Sequence, residues 1–600
     1  MKQAAPLFVP EYQRIASSKR RDPHPPIIGF FDFEASTDED HHRPYCISYC
    51  IAKDIEQFKD SSFSIKNIWG KDLDCASKFL KEIGDFWHKH GAPLRKKAFV
   101  HDMPNLVLYA HNLAYDCTFI KPFLTDRRVT EQGGRVYQVE GTYTYWVGHK
   151  PTRLRLILQD TLCLFQSSLR NVGRDYIWGD EAKAIKKEVF PYDWYTFANF
   201  NRHPSGWAPV SEIQESLHDT AKFDEFMVNL RGFGPSMYDD VSNCFNYQKY
   251  AAFYCDQDVR VLARAFYNLR QLYLGKQLES TTIHGTVPFS VDILDRITAS
   301  GIAYTWFLDT VVDGNNKPIK DRCTPQEEEQ EEIRRAVRQA HPKMRNEEKI
   351  EKLVREEVWK RFYERLSQYE NDLIFECNGP LRYTILAANR GGRCMTRDNE
   401  KWYYKAAKHN GVKLQDYDAV SLYPSAMRRL WLSTGKMKLF RSKTMLTQED
   451  FKQRWLRSEQ LENPEGKWTD AVIHVTSLHS VRKSHFPVLC LRDPATKLND
   501  WRNFEHETVD TWINAIDLEN FIDFQQGEFE WDQAIFWDQK RNTLIQGQIQ
   551  ALFDFRKANK EKESYHPIEK VAKTMMNSIS GKSITKIHKS ETKYLKDPSS

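Results

Sequence analysis

Between residues 27 and 270, short apolar runs alternate with stretches whose apolar positions recur at helical spacing. "PIIGFFDFEA", "LVLYAHN" and "LRLILQDTLCLF" predict strands, and "DVRVLARAFYNLRQLYL" predicts an amphipathic helix. Such alternation predicts an α/β domain. Over residues 322–372 the pattern changes to mixed charge at helical spacing: "TPQEEEQEEIRRAVRQA" opens on a Thr-Pro start signal and "NEEKIEKLVREEVWKRFYERLSQYE" follows. His341-Pro342 separates the two and predicts a pair of helices, a charged and solvated helical insertion. Beyond it lie "NRGGRCMTRDN", "DYDAVSLYPSAM", an aromatic-rich stretch to about residue 560 and a Lys-rich helical pattern, "PIEKVAKTMMNSISGK". In "DYDAVSLYPSAM", strand alternation points Asp416 and Asp418 the same way, and Pro424 suits the first turn of a helix, where a missing N–H costs nothing.

The length of 600 residues exceeds what one core usually holds, so two to four domains are expected. With 28% charged and 40% hydrophobic residues the chain reads as globular. A net charge of +5 permits a nucleic-acid partner without requiring one. Eleven scattered cysteines, with no C-x-x-C, argue for reduced thiols in an intracellular compartment and against a disulfide scaffold or zinc site. The first residues lack the apolar centre of a signal peptide and no stretch has the length of a membrane span, so a soluble protein is expected, its compartment left open.

Three segments collect acids. "FFDFEAST" sets Asp32 and Glu34 on one face of a strand. "YAHNLAYDCTFI" follows an apolar strand with Asn112 and Asp116 four apart. "YCDQDVRVLARAF" puts Tyr254 and Asp258 on one helix face. Carboxylates gathered from a strand and two helix starts repel unless cations or protons compensate them. Hard oxygen donors of this kind suit Mg²⁺ or Mn²⁺, and a pair of such ions activates water and stabilises a leaving oxygen in phosphodiester hydrolysis. Tyr254 either orients that water or simply packs.

In order and wording these segments resemble the Exo I, Exo II and Exo III motifs of the proofreading domain of family B DNA polymerases. The resemblance implies metal-binding carboxylates at Asp32, Glu34, Asp116 and Asp258 and a water-orienting phenol at Tyr254. It implies single-stranded DNA contacts at Asn112, Leu113 and Phe119 within Exo II, with core packing the alternative for Phe119, and at Ser168 and Leu169 in "SSLRNVG". The family's exonuclease-domain lysine falls on Lys186 or Lys187. Ala35 stands where the family carries a primer-binding threonine.

"DYDAVSLYPSAM" resembles polymerase motif A, which implies that Asp418 binds both catalytic metals and that Tyr423 lies under the sugar and selects deoxynucleotides. "KTMMNSISGK" resembles motif B and implies nucleotide contacts from Lys573 and Asn577, with Ser580 in place of the family's tyrosine. "NRGGRCM" resembles the glycine-rich link of the terminal-protein-primed branch, implying DNA contacts at Arg390, Gly391 and Gly392, with Asn389 in place of the usual tyrosine.

Together these resemblances imply an α/β and α+β multidomain chain. Residues 1–285 hold an N-terminal segment and a ribonuclease H-like 3′–5′ exonuclease domain, and residues 286–600 an incomplete palm and fingers. The roughly thirty residues before Exo I and the long interval between motifs A and B favour the protein-primed branch, with a priming-protein insertion expected within 430–565. No D-T-D follows Lys582, so motif C and the thumb are expected to be absent and the chain a fragment. The expected cofactors are Mg²⁺ or Mn²⁺, two ions per active site. The expected partners are primer-template and single-stranded DNA, deoxynucleoside triphosphates and a terminal priming protein, with no membrane. Two other readings stay open: an exonuclease whose second half only clamps DNA, and a non-catalytic protein that binds DNA or a replication partner.

Overall fold

The computed structural model describes residues 14–15, 27–36, 42–70, 72–91, 106–132, 134–184, 189–274, 279–282, 285–288, 291–308, 319, 321–377, 379–390, 422–493, 498–560 and 567–583. The architecture is mixed α/β. Its first half is built on a seven-stranded sheet in the order Lys66–Trp69, Arg43–Ala52, Ile27–Ser36, Leu106–Ala110, Lys150–Asp160, Arg135–Val147, Leu124–Gln132. The strand Ile27–Ser36 pairs antiparallel with Arg43–Ala52 and parallel with Leu106–Ala110.

Position in the middle explains the composition of Ile27–Ser36. Both faces are covered, so the run is almost continuously apolar. Phe31 and Phe33 face the helix Asp74–Gly91 through Phe79, whereas Phe30 packs toward the long helix Tyr247–Leu274 through Phe266. A side chain cannot replace Gly29 here: a Cβ would stand 2.6 Å from the Leu108 side chain and 2.8 Å from the Cys50 carbonyl oxygen.

The two halves share one core. Residues of the long helix, including Phe266 and Leu269, belong to the same buried cluster as Ile302 and Trp306 of helix Ala299–Phe307, Ile549 of Leu544–Lys560, and Met575 and Met576 of Pro567–Ser583. A hairpin of Glu279–Thr282 and Gly285–Pro288 follows the long helix.

The charged insertion is a helical hairpin, Glu327–Ala340 and Glu347–Leu366, interrupted after His341 as the sequence predicts. Its narrow apolar seam is Ile333, Ile350 and Val354. Ion pairs such as Arg334–Glu351 (2.9 Å) and Arg338–Glu347 (2.9 Å) lie along its exposed flank, where each contributes little.

Between the helices Leu422–Met427 and Pro567–Ser583 the chain builds an antiparallel sheet ordered Lys438–Thr447, Gly527–Trp537, Asp470–Ser480, Glu507–Asn514. The helices Gln448–Arg454 and Ala515–Gln525 cover one face through Phe451, Leu518 and Phe521, which pack with Trp531 of the sheet. Buried Arg541 ties the surrounding loop down by donating to the carbonyls of Leu456, Arg457 and Thr469. Among the described residues no helix is long and apolar enough to cross a membrane.

Candidate active site

Strand alternation brings Asp32 and Glu34 to the face covered by the long helix. One oxygen from each carboxylate and Sγ of Cys255 lie within 4.8 Å of one another. The strand pairing shifts register between Glu34 and Ala35, a bulge that turns the chain just where the acids are presented. Glu34 is 6% exposed.

Asp116 reaches this place from the helix Leu113–Ile120. Its Oδ1 accepts the backbone N–H of Phe33, the residue between the two strand acids, at 3.1 Å. The side chain is 3% exposed. Burial pushes its pKa up to about 7; the Phe33 N–H opposes that rise and the charge of Asp160 adds to it. Asn112, at the start of the helix, adopts a left-handed conformation (φ 70°), which asparagine tolerates better than most residues. Its backbone N–H donates to Asp160 Oδ1 at 3.0 Å.

Asp258 is 3% and Tyr254 1% exposed, both on the inward face of the long helix as their spacing predicts. The Tyr254 hydroxyl stands 2.6 Å from that of Tyr192. Burial, with Asp258 and Glu34 nearby, lifts the Tyr254 phenol far above its usual pKa, so it remains protonated. Asp116 borders the cluster of Asp32, Glu34 and Cys255 without belonging to it, and Asp258 lies one helical turn beyond Tyr254.

The residues expected to touch single-stranded DNA divide into two kinds. Leu113 is fully buried, Leu169 is buried, and Phe119 packs edge-on against Phe33 at 5.3 Å and Tyr115 at 5.4 Å, the core alternative for Phe119. Ser168 begins the helix Leu169–Tyr176, and His111 holds that segment through Ser167 O (3.0 Å) and Thr161 Oγ1 (3.1 Å). This histidine joins the end of the strand Leu106–Ala110 to the Ser168 loop.

Sequence reasoning missed Asp160, Tyr192 and Cys255. Asp160, 2% exposed, closes the apolar strand "LRLILQD" and also accepts the N–H of Leu162 at 2.8 Å. An acid ending such a buried strand was the available signal. Cys255 was adjacent to a singled-out tyrosine, but its approach to Asp32 depends on how helix and sheet dock.

In the second half, Pro424 lies in the first turn of the helix Leu422–Met427, as its chemistry predicts. Met427 packs with Met575 and Met576 of Pro567–Ser583, so these two helices share a core. Tyr423 is 66% exposed, and Lys573 and Asn577 are exposed on one face of the second helix. Arg390 donates to the Ala387 carbonyl and, with Asn389, Trp501, Asn514 and Asp517, lines a cavity of about 270 Å³. Asp416, Asp418, Gly391, Gly392, Arg393, Lys186 and Lys187 lie outside the described residues.

A family model described as DNA polymerase type B, organellar and viral, matches residues 103–600. The fold is similar to that of phi29 DNA polymerase complexed with primer-template DNA and incoming nucleotide (14% identity, TM-score 0.49, covering 93% of this chain and 68% of that one). It is also similar to an orthorhombic crystal form of phi29 DNA polymerase (15% identity, TM-score 0.47, 94% and 69% covered). No curated protein matches the sequence.

Proposed function

The chain belongs to the organellar and viral family of type B DNA polymerases, and on that premise we propose how its residues divide the work of a DNA-directed DNA polymerase with 3′–5′ exonuclease. The seven-stranded sheet and its helices form a ribonuclease H-like exonuclease, with Asp32, Glu34, Asp116 and Asp258 as the metal-holding carboxylates. The observation that carries this reading is the approach of Asp116 to the Asp32–Glu34 strand, through its 3.1 Å bond to the Phe33 N–H. The donor set fits hard divalent ions: Glu34, Asp116 and Asp258 are buried and Asp32 is half-buried, and burial makes their charge costly without a cation.

Two Mg²⁺ or Mn²⁺ ions, when bound, supply a more acidic water and neutralise the leaving 3′-oxygen. The protein's own groups do the positioning. The Tyr254 phenol, held protonated and fixed by Tyr192, orients the attacking water. Ser168 and Asn112 hold the frayed single strand, while Leu113, Phe119 and Leu169 brace that surface from behind.

The second half serves as palm and fingers. Tyr423 meets the sugar of the incoming nucleotide, Lys573 meets its triphosphate as a point charge, and Asn577 lies beside it. Asp418 contributes the palm metal ligand, and Arg390, Gly391 and Gly392 follow the DNA backbone. The sheet between residues 430 and 565 receives a priming protein whose hydroxyl accepts the first nucleotide. The test is degradation of 3′-labelled single-stranded DNA with Mg²⁺ by purified protein. The Asp32→Ala, Glu34→Ala double variant is expected to lose about a hundredfold or more of the rate; unchanged degradation would overturn the reading.

A further inference from the structure

A cavity of about 270 Å³ lies between the end of the helix Gly379–Ala388, which supplies Asn389 and Arg390, and the sheet unit that follows, which supplies Trp501, Asn514 and Asp517. Asn389 is exposed, so the cavity opens to solvent on that side. Among the described residues, Nε of Arg390 is buried without a hydrogen-bond partner, and no ion pair joins Arg390 to Asp517 on the other wall. Burial works against both charges, pulling the Arg390 pKa down and the Asp517 pKa up, although each charge favours the other. A group that accepts from Arg390 and donates to Asp517 would relieve both.

The volume falls just below the roughly 300–1,000 Å³ of pockets for drug-sized ligands, which suits a single ring system. Trp501 adds to the lining an aromatic ring of the kind on which unstacked bases of single strands rest. Of the four DNA bases, guanine alone sets one carbonyl acceptor beside two N–H donor groups on its pairing edge, the pattern that a guanidinium and a carboxylate together complement. Adenine and cytosine present one amino group there, and thymine one N–H. We propose that this cavity receives one guanine base unstacked from single-stranded DNA, with O6 accepting from Arg390 and N1–H and N2–H donating to the Asp517 carboxylate. The inference rests on the reading of Arg390 as a residue that follows DNA, and adds a base preference to that path.

Fluorescence anisotropy of the full chain with labelled oligothymidylates of about twelve nucleotides, in chelator so that nothing is degraded, tests it. An oligonucleotide with one central guanine is expected to bind about tenfold more tightly than one with a central adenine, also a purine, or with thymine throughout. Inosine at that position, which lacks the N2 amino group, is expected to lose several-fold on the wild-type protein, a readout that needs no variant. Asp517→Asn is expected to abolish the preference and leave the affinity for oligothymidylate in place. Free dGMP is expected to compete only at concentrations about a hundredfold higher or more, since it lacks the contacts of the strand. Equal binding of guanine and adenine, inosine matching guanine, a preference surviving in Asp517→Asn, or dGMP competing as well as the oligonucleotide would overturn the proposal. Arg390→Ala separates the two readings: if it weakens every oligonucleotide alike and guanine has no advantage in the wild type, only the base pocket is rejected, whereas unchanged oligothymidylate binding rejects the DNA path at Arg390.

Discussion

The two halves present their chemistry in opposite ways. In the first, Glu34, Asp116 and Asp258 are buried and Asp32 half-buried, on a central strand, a short helix and a 28-residue helix locked together by aromatic packing. In the second, Tyr423, Lys573 and Asn577 are exposed on helices that pack through methionines beneath them. A buried acid has already lost its hydration and depends on a cation for compensation, whereas an exposed lysine or tyrosine remains solvated until substrate arrives. On the proposed roles, the first half would be assembled before DNA binds and the second completed by its substrates.

The sharpest way to break this contrast is at Asp258. Asp258→Asn is expected to lower Mg²⁺-dependent exonuclease turnover by about a hundredfold or more while leaving the melting curve nearly in place; measured single-turnover rates that match wild type would remove the acid from the site. At Lys573, alanine is expected to raise the KM for deoxynucleotides about tenfold in primer extension and leave exonuclease activity untouched. Tyr423→Val is expected to raise ribonucleotide incorporation relative to deoxynucleotide, read from extension products.

A smaller effect concerns pH. Burial raises the folded-state pKa of Asp116 to about 7, above an ordinary carboxylate value near 4. Between those values the folded protein binds more protons than the unfolded chain, so ionisation of Asp116 opposes folding progressively as pH rises, and fully above about 7. Asp116→Asn is thus expected to raise the melting temperature of metal-free protein at pH 8, by an amount that shrinks toward pH 4. The smallest effect is expected at the rim: Tyr192→Phe, which removes the hydroxyl beside Tyr254, should slow the exonuclease by only a few-fold in the same degradation assay.

The sequence showed what depends on local period. Asp32 and Glu34 share a face because strands alternate, Tyr254 and Asp258 because four residues make about one helical turn, and the turn at His341-Pro342 follows from proline's effect on its predecessor. It did not show what depends on docking. Asp160 becomes part of the site only when its strand end meets the N–H of Asn112, 48 positions away. Cys255 meets Asp32 across 223 positions, and Tyr192 meets Tyr254 across 62. Likewise the shared core of the two halves joins residues such as Phe266 and Met575, whose apolar character alone names no partner.

The central claim is that four acids distant in the chain jointly hold cations. Mn²⁺ binding, followed by the loss of the free-ion electron paramagnetic signal, measures this directly on wild type and on Asp32→Asn, Glu34→Gln, Asp116→Asn and Asp258→Asn. The account predicts that each single substitution weakens binding, with Asp32 and Glu34 the largest. Wild-type Mn²⁺ affinity in both Asp116→Asn and Asp258→Asn would contradict it.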